Sequence, residues 1–496
     1  MNLDLDSQKE NNPLLMGLHP KVTYGEIPFL LAHNPLSNLD LSKISSSERE
    51  ELLHLHKRFF VPTATAVEIF SALQTLHREG YIQRNPSQFE KRNRLFEIAN
   101  LRGQSFATIP WFQSTASGIL IKGITGLGKS TIVDRYLLLQ PKQVILHTDG
   151  AIPGFTFLTQ ISWLKVQMSA DGSRAGFLLS ILSEIDKVAG TNYFSQYNGR
   201  KTTIEKLLVM VGIILSSHYV GILVVEEIQE HNFNSSQWSH EIATFFLRLL
   251  NFGIPVVLVG NSLGFKKLLE NSQITRRLTT SGSFNLTPFL DHTNITWSKI
   301  IVPQIWNFNV MPKQTELTDK LIELLHRLTG GVMDFLLKII VEAQRIALRL
   351  DHKSINEEHL KAAYEGPIFT ENRDLIRGLA DKDLMRLTKV NDVPLDEFAE
   401  IWEDAGSIIT NKNDGNRTDF NPFLATDKET IPKRSNVDKQ RAQYKSAQTR
   451  KESNRIKNAK IIDGLLDEDE RNKRGIGQLL DGLNAIKTKK EGGHTG

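Results

Sequence analysis

The sequence of 496 residues contains no cysteine. Disulfides and thiolate metal sites are thereby excluded, which suits a reducing cytoplasm. No apolar run approaches the roughly 20 residues of a membrane-spanning helix, so no membrane partner is expected although 40% of the residues are hydrophobic. The start, Met1 to Asn12, is polar and acidic and lacks the basic-then-apolar order of a secretory signal, so export is not expected. Charge of one sign is also scarce: 60 Lys and Arg against 56 Asp and Glu leave +4, too little by itself to diagnose nucleic-acid binding. What remains is a chain long and apolar enough for two or three domains with real cores.

The chain is organised around Gly118 to Gln140. Ile119, Leu120 and Ile121 read as a short apolar strand, followed by a glycine loop and a helix from about Lys129. Gly123-Ile124-Thr125-Gly126-Leu127-Gly128-Lys129-Ser130 fits G-x-x-x-x-G-K-[ST]. The glycines let the backbone curl so that its N–H groups face an anion, and the helix N-terminus adds a favourable dipole. Lys129 would reach the β- and γ-phosphates, and Ser130 would place its hydroxyl on Mg²⁺. A nucleoside triphosphate is the expected ligand, with Gly123, Thr125, Gly126, Leu127, Gly128, Lys129, Ser130 and Thr131 as its cradle.

Before this loop, residues 1 to about 44 show no sustained period and read as an extended arm. Ser47 with Glu50, then Thr65 with Glu68, read as capping boxes. The second opens a helix with Val67, Phe70, Leu73 and Leu76 on one face, closing at Gly80. Tyr81 to Pro86 reads as a turn, and Gln88 to Asn100 as a further helix. From about Ser105, strands alternate with helices in the pattern of a mostly parallel sheet covered on both faces. Strands are expected at Val144–His147, Gln160–Met168, Gly221–Val225 and Ile254–Val259. Helices are expected at Arg174–Val188, Thr203–His218, Trp238–Leu250 and Phe265–Leu269. Beyond Asn294 the strand signals stop, and Glu316–Leu328, Val332–Leu350 and Ile355–Tyr364 suggest a small helical lid.

Ile222-Leu223-Val224-Val225 runs into Glu226 and Glu227, two carboxylates at the C-terminal end of a buried strand, where α/β sheets bind ligands. Glu226 can hold hydrated Mg²⁺ and Glu227 can orient and deprotonate the attacking water. Asn261 either reaches the γ-phosphate or belongs to a Gly-Asn-Ser turn. Arg276 and Arg277 are either solvated surface or a charge offered to a neighbouring subunit's site.

At these residues the sequence resembles the AAA+ transposition regulators called TnsC and TniB, over most of Phe60 to Gly366. The resemblance rests on Val61-Pro62-Thr63, Gly80-Tyr81 with Arg84-Asn85-Pro86, Gly126-Leu127-Gly128-Lys129-Ser130-Thr131, Trp163-Leu164-Lys165 and Asp171-Gly172-Ser173. It continues through Gly190-Thr191-Asn192-Tyr193, Glu227-Ile228-Gln229, Gly253-Ile254-Pro255-Val256-Val257 and Arg276-Arg277. It implies an α/β fold: an AAA+ P-loop NTPase core (105–293) with an N-terminal arm and helical extension (1–104), a small helical lid (294–366), and C-terminal helices with a basic tail (367–496). It implies an ATPase that uses ATP and Mg²⁺ and assembles as a ring or helical filament on double-stranded DNA. Its implied partners are a transposase with its endonuclease subunit and a target-selection protein of the TnsD/TniQ type; a cytoplasmic, bacterial, transposon-encoded protein follows from the same resemblance. Lys129, Ser130 and Thr131 take phosphate and Mg²⁺ binding, Glu227 water activation, and Arg276 or Arg277 the trans arginine finger. The chain departs from the family at Glu226, where Asp is usual, and at Asn261, where Thr is common. Met333-Asp334 stands where many AAA+ proteins carry a sensor arginine, with Lys338 one turn on.

Past Pro367, Asp374–Leu387 and Leu395–Asp404 read as short amphipathic helices and Thr410–Asn421 as a linker. The stretch from Lys433 to Lys460 is strongly basic and nearly free of aromatics, suited to phosphate contact, to an acidic partner, or to a solvated face. Two apolar islands, Ile461–Leu466 and Ile476–Ile486, are too short to fold alone and suit partner binding. Two other functional readings stay open: an ATP-bound scaffold that does not hydrolyse, and an origin-type AAA+ DNA-binding initiator. The initiator would need a winged-helix pattern after the lid, and the tail shows none.

Overall fold

The computed structural model describes residues 12–104, 116–148, 152, 154–170, 172–199, 202–234 and 239–412. The expected domain start at Ser105, Asp171 of the resemblance, the basic stretch and both apolar islands lie outside the described residues. The chain separates into two compact units, Met1–Asp396 and Glu397–Gly496.

The apolar runs of the first unit become strands because β-branched residues pack well on a pleated, buried surface. In chain order these are β1 (Gly118–Gly123), β2 (Val144–His147), β3 (Leu158–Ile161), β4 (Trp163–Gln167), β5 (Ile222–Ile228), β6 (Val256–Gly260) and β7 (Ser283–Leu286). Five form one parallel sheet in the order β4-β5-β6-β1-β7. The single strand expected over Gln160–Met168 is two: Ser162 breaks it, so β3 pairs antiparallel with β2 in a separate ribbon while β4 joins the main sheet. Alternation alone does not distinguish one strand from two in line, since the sheet each joins is set by distant partners. β7 carries no apolar run and was not expected; it adds to the edge through β1.

One continuous core joins Leu120, Leu164, Val225 and Leu258 of the sheet to Phe177 and Leu182 of the helix Arg174–Ala189 and to Phe246 of the helix Ser239–Asn251. Gly260 is needed where this sheet is tightest. It lies opposite Lys122 of β1 and Ile228 of β5, and a Cβ on it would stand 2.1 Å from the Ile228 carbonyl oxygen. Gly260→Ala is expected to destabilise the protein by about 2–3 kcal/mol, because the Ile228 backbone must move. Thermal unfolding checks this: a Tm within a degree of the parent's would refute the close approach.

The N-terminal expectations need correction. The arm is not extended: Pro13–Met16 and Ile27–Leu31 are short helices, and Leu14, Leu15 and Leu18 are buried with Tyr81, Leu158 and Tyr219. Segments this short have no period to read, and burial against the rest of the fold forms them. The first capping box is Ser45 with Glu48, and the helix is Ser46–Leu52. Arg49 sets that frame, buried with hydrogen bonds to the carbonyls of Ile44, Leu41 and Val310. The long helix Ala64–Gln83 is capped by Thr63, whose Oγ1 accepts from the Ala66 N–H at 3.1 Å, and it runs through Gly80 into the expected turn. Gly80 serves packing there, since a Cβ would stand 2.5 Å from Pro255.

After the sheet the unit is helical: Val302–Trp306, Asp319–Thr329, Met333–Arg349, Glu357–Glu365, Arg373–Ala380 and Leu384–Leu387. The helix expected over Asp374–Leu387 breaks between its last two pieces, where Lys382 adopts a left-handed φ of 53°. The helix Leu395–Lys412 passes the expected end at Asp404 and enters the expected linker. Among the described residues no helix is long and apolar enough to cross a membrane.

Candidate functional site

β1 is buried except at the half-buried Lys122 and ends at Gly123, which has a φ of 150°. A Cβ there would stand 2.4 Å from the Leu286 carbonyl oxygen, so the position has no room for a side chain. The loop then turns through Gly126 and Gly128, with φ of 86° and 82°, values that glycine adopts without strain. Gly128 is the N-cap of the helix Lys129–Leu139, so the helix start faces the loop's interior. Lys129 curls back, and its Nζ donates to the carbonyls of Gly123 and Ile124 at 2.9 and 2.8 Å. Burial lowers its pKa to about 8, against the opposing pull of Glu227, Asp392 and Glu226.

A cleft of about 410 Å³ opens over this loop. Thr125, Gly126, Gly128, Lys129, Ser130 and Thr131 line it, and so do Glu227 and Asn261. Gly123 and Leu127 shape the loop from behind, Leu127 being buried. The first of the two adjacent carboxylates lies apart from the cleft lining. Glu226 is buried on β5, with Oε2 3.0 Å from Lys165 Nζ and Oε1 buried without a partner among the described residues. Glu227 has a left-handed φ of 57°, and the β5–β6 register shifts between Val225 and Ile228. Non-glycine residues held in that region cost about 1–3 kcal/mol and cluster at functional sites. Two hydrogen bonds hold it there: Asn232 Nδ2 donates to its carbonyl and Gln229 Nε2 to its Oε2, each at 2.7 Å.

Asn261 ends β6 and does two things at once. Its Oδ1 accepts from the Leu263 N–H at 3.0 Å, making the turn, while its Nδ2 donates to the Asp392 carbonyl at 2.5 Å. From the lid, the Asp334 N–H donates to the Gly126 carbonyl at 3.3 Å, and Lys338 is paired to Asp334 at 2.6 Å. Asp334 lines the cleft, whereas Lys338 does not. The two arginines lie on Ser272–Leu278, outside the cleft lining. Arg277 donates to Asn251 Oδ1 at 2.6 Å, and Arg276 is exposed.

Sequence reasoning missed the apolar part of the lining, Phe59, Phe60, Val61, Ile305, Met333 and Leu337. Phe60 is fixed by a two-way backbone bridge to His33 and lies under Arg135, 4.6 Å from its ring centroid. Val61-Pro62-Thr63 was visible as a motif, yet nothing local tied it to the loop. Asp392 was likewise unreadable as a site residue. Among the described residues no group of three or more His, Asp or Glu could hold a metal ion. A cation at Ser130 would therefore complete its shell with water and phosphate oxygens, the usual habit of Mg²⁺. The Ser130 hydroxyl, in the cleft lining, fits such a cation, and the orphan Oε1 of Glu226, buried outside that lining, would meet its shell only through water.

Residues 113–269 match a family model described as "AAA domain". A search of curated proteins finds no match. Among solved structures, Cdc6p from Pyrobaculum aerophilum is 12% identical with a TM-score of 0.34, covering 58% of this chain and 69% of its own. The ORC1 protein of Aeropyrum pernix in complex with DNA is 15% identical, TM-score 0.33, covering 64% and 83%. The RuvB Holliday junction branch migration motor of Thermotoga maritima is 13% identical, TM-score 0.30, covering 64% and 84%. The matched segment holds the phosphate loop, both β5 carboxylates and Asn261, and a parallel sheet with flanking helices surrounds it: this part of the chain is similar to an AAA domain and has the AAA+ P-loop NTPase fold.

Proposed function

We propose that this chain is an ATP-hydrolysing switch that assembles on double-stranded DNA and regulates transposition, linking a target-selection protein to a transposase. The observation that carries the ATPase part is the convergence of the phosphate loop, Glu227 and Asn261 on one cleft that Met333, Asp334 and Leu337 of the lid also line. The transposition part rests on the ordered short motifs shared with the TnsC and TniB regulators.

In this reading the apolar part of the lining, Phe59, Phe60, Val61, Met333 and Leu337, takes the base, and the loop N–H groups and Lys129 hold the phosphates. Ser130 and Glu226 would hold hydrated Mg²⁺, which would supply positive charge to offset that of the phosphates. Glu227 accepts a proton from the attacking water, and Asn261 steadies the water or the γ-phosphate beside it. Arg276, exposed where Arg277 is held by Asn251, is the better placed of the two to reach a neighbouring subunit.

The test images the full chain with duplex DNA and a slowly hydrolysed ATP analogue, then adds transposase. Rings or filaments that form only with nucleotide and retain transposase are expected. Subunits bearing Arg276→Ala mixed with Lys129→Ala subunits should regain some hydrolysis, since each supplies what the other lacks. Assembly without nucleotide refutes the switch, and assembly with no phosphate release points to the non-hydrolysing scaffold. Mixed oligomers with no activity leave Arg276 a surface residue.

A further inference from the structure

Three charged side chains from three elements meet behind the phosphate loop. Lys165, on β4, places Nζ 2.5 Å from Asp134 Oδ1 on the phosphate-loop helix and 3.0 Å from Glu226 Oε2 on β5. Opposite Lys165 on β5 is Val224, and opposite Gln167 is Glu226, so Lys165 and Glu226 are diagonal neighbours on one face of the sheet. Asp134 follows Ser130 by one helical turn and shares its face of the helix. Shielding grades inward: the Asp134 side chain is 42% exposed, Lys165 26% and Glu226 6%. One lysine thus ties the carboxylate of β5 to the helix that carries Ser130.

We propose that Lys165 is a positioning residue for the cation site, a role that rests on the nucleotide and Mg²⁺ reading above. A glutamate has one more rotatable bond than an aspartate, so an untethered Glu226 would spread its carboxylate over several positions. Holding Oε2 fixes the whole planar group and leaves Oε1, buried and without a partner among the described residues, as the atom for a cation-bound water. The tether to Asp134 keeps that oxygen in register with Ser130, because both lie on one rigid helix. This accounts for a glutamate at this position: its added methylene lets one carboxylate serve Lys165 and the cation together.

The experiment titrates a fluorescent ATP analogue into the full chain with and without Mg²⁺. In Lys165→Met, binding without Mg²⁺ should stay within about twofold of the parent, while the Mg²⁺ concentration for half-maximal enhancement of binding should rise by about tenfold, the usual loss when a metal ligand's partner is removed. Adding Glu226→Gln to Lys165→Met should shift that midpoint little further, since the two act as one unit. Equal weakening with and without Mg²⁺ would make the cluster a structural ion pair and overturn the proposal. A lower midpoint would make Lys165 a competitor of the cation and overturn it as well. Should Lys165→Met not fold, Asp134→Ala removes the tether alone and should raise the midpoint by roughly threefold, the smaller part of the same effect; an unchanged midpoint there overturns the proposal. Parent protein that binds no nucleotide refutes the functional reading instead, and the proposal with it.

Discussion

Lys129→Ala is expected to weaken ATP binding by about two orders of magnitude or more and, on the function proposed above, to abolish assembly on DNA with it. Among the described residues this ammonium is the one lysine lining the cleft, pre-positioned by the carbonyls of Gly123 and Ile124 at 2.9 and 2.8 Å, and a phosphate chain replaces those carbonyls at little reorganisation. Its pKa sets a pH dependence whose sign can be worked out. Burial lowers it from 10.5 to about 8 in the nucleotide-free protein, so it discharges as pH rises through 8. Phosphates bind the charged form, so apparent ATP affinity should fall above pH 8 by up to about tenfold per unit, with a proton taken up on binding. Between 8 and 10.5 the unfolded chain holds more protons at this residue than the folded one, so its contribution to the stability of the nucleotide-free protein rises with pH across that window. Calorimetry in buffers of different ionisation enthalpy reads the proton uptake directly. Unchanged ATP binding by Lys129→Ala would remove the loop from the mechanism.

Glu227→Gln is expected to lower ATP turnover by about 10²–10⁴-fold, the range for removing a general base, while ATP binding holds. Gln is isosteric and keeps an oxygen for the 2.7 Å bond from Gln229, so the strained backbone at Glu227 should persist. The assembled, ATP-bound state should then accumulate on DNA instead of being reset. Steady-state phosphate release checks the first part and the lifetime of DNA-bound oligomers the second. Parental turnover in this variant would show that another group activates the water.

The contrast between the loop and the apolar part of the cleft lining explains what was legible. The loop's chemistry is local: glycines at 126 and 128 adopt left-handed angles in any setting that needs this curl, and Lys129 follows them in sequence. The apolar part is assembled from Phe59–Val61, Ile305 and the lid, whose residues are ordinary core hydrophobes when read one segment at a time. Glu226 and Glu227 show the limit in one dipeptide. Adjacent in sequence and alike in chemistry, they part because the register shift in β5 sends Glu227 to the cleft while Glu226 stays buried with Lys165.

Read residue by residue, the chain yields the phosphate loop, the apolar strands that became the parallel sheet and the approximate extents of the longer helices, because each is dictated by backbone angles or period within a few residues. The place of the N-terminal arm, the division of one expected strand between two sheets, the capping frame around Arg49 and the unit of Lys165, Asp134 and Glu226 emerge only on folding. These depend on partners brought close by the fold from distant parts of the chain. A side chain's worth there is set by what it meets on burial, which neighbouring residues do not encode.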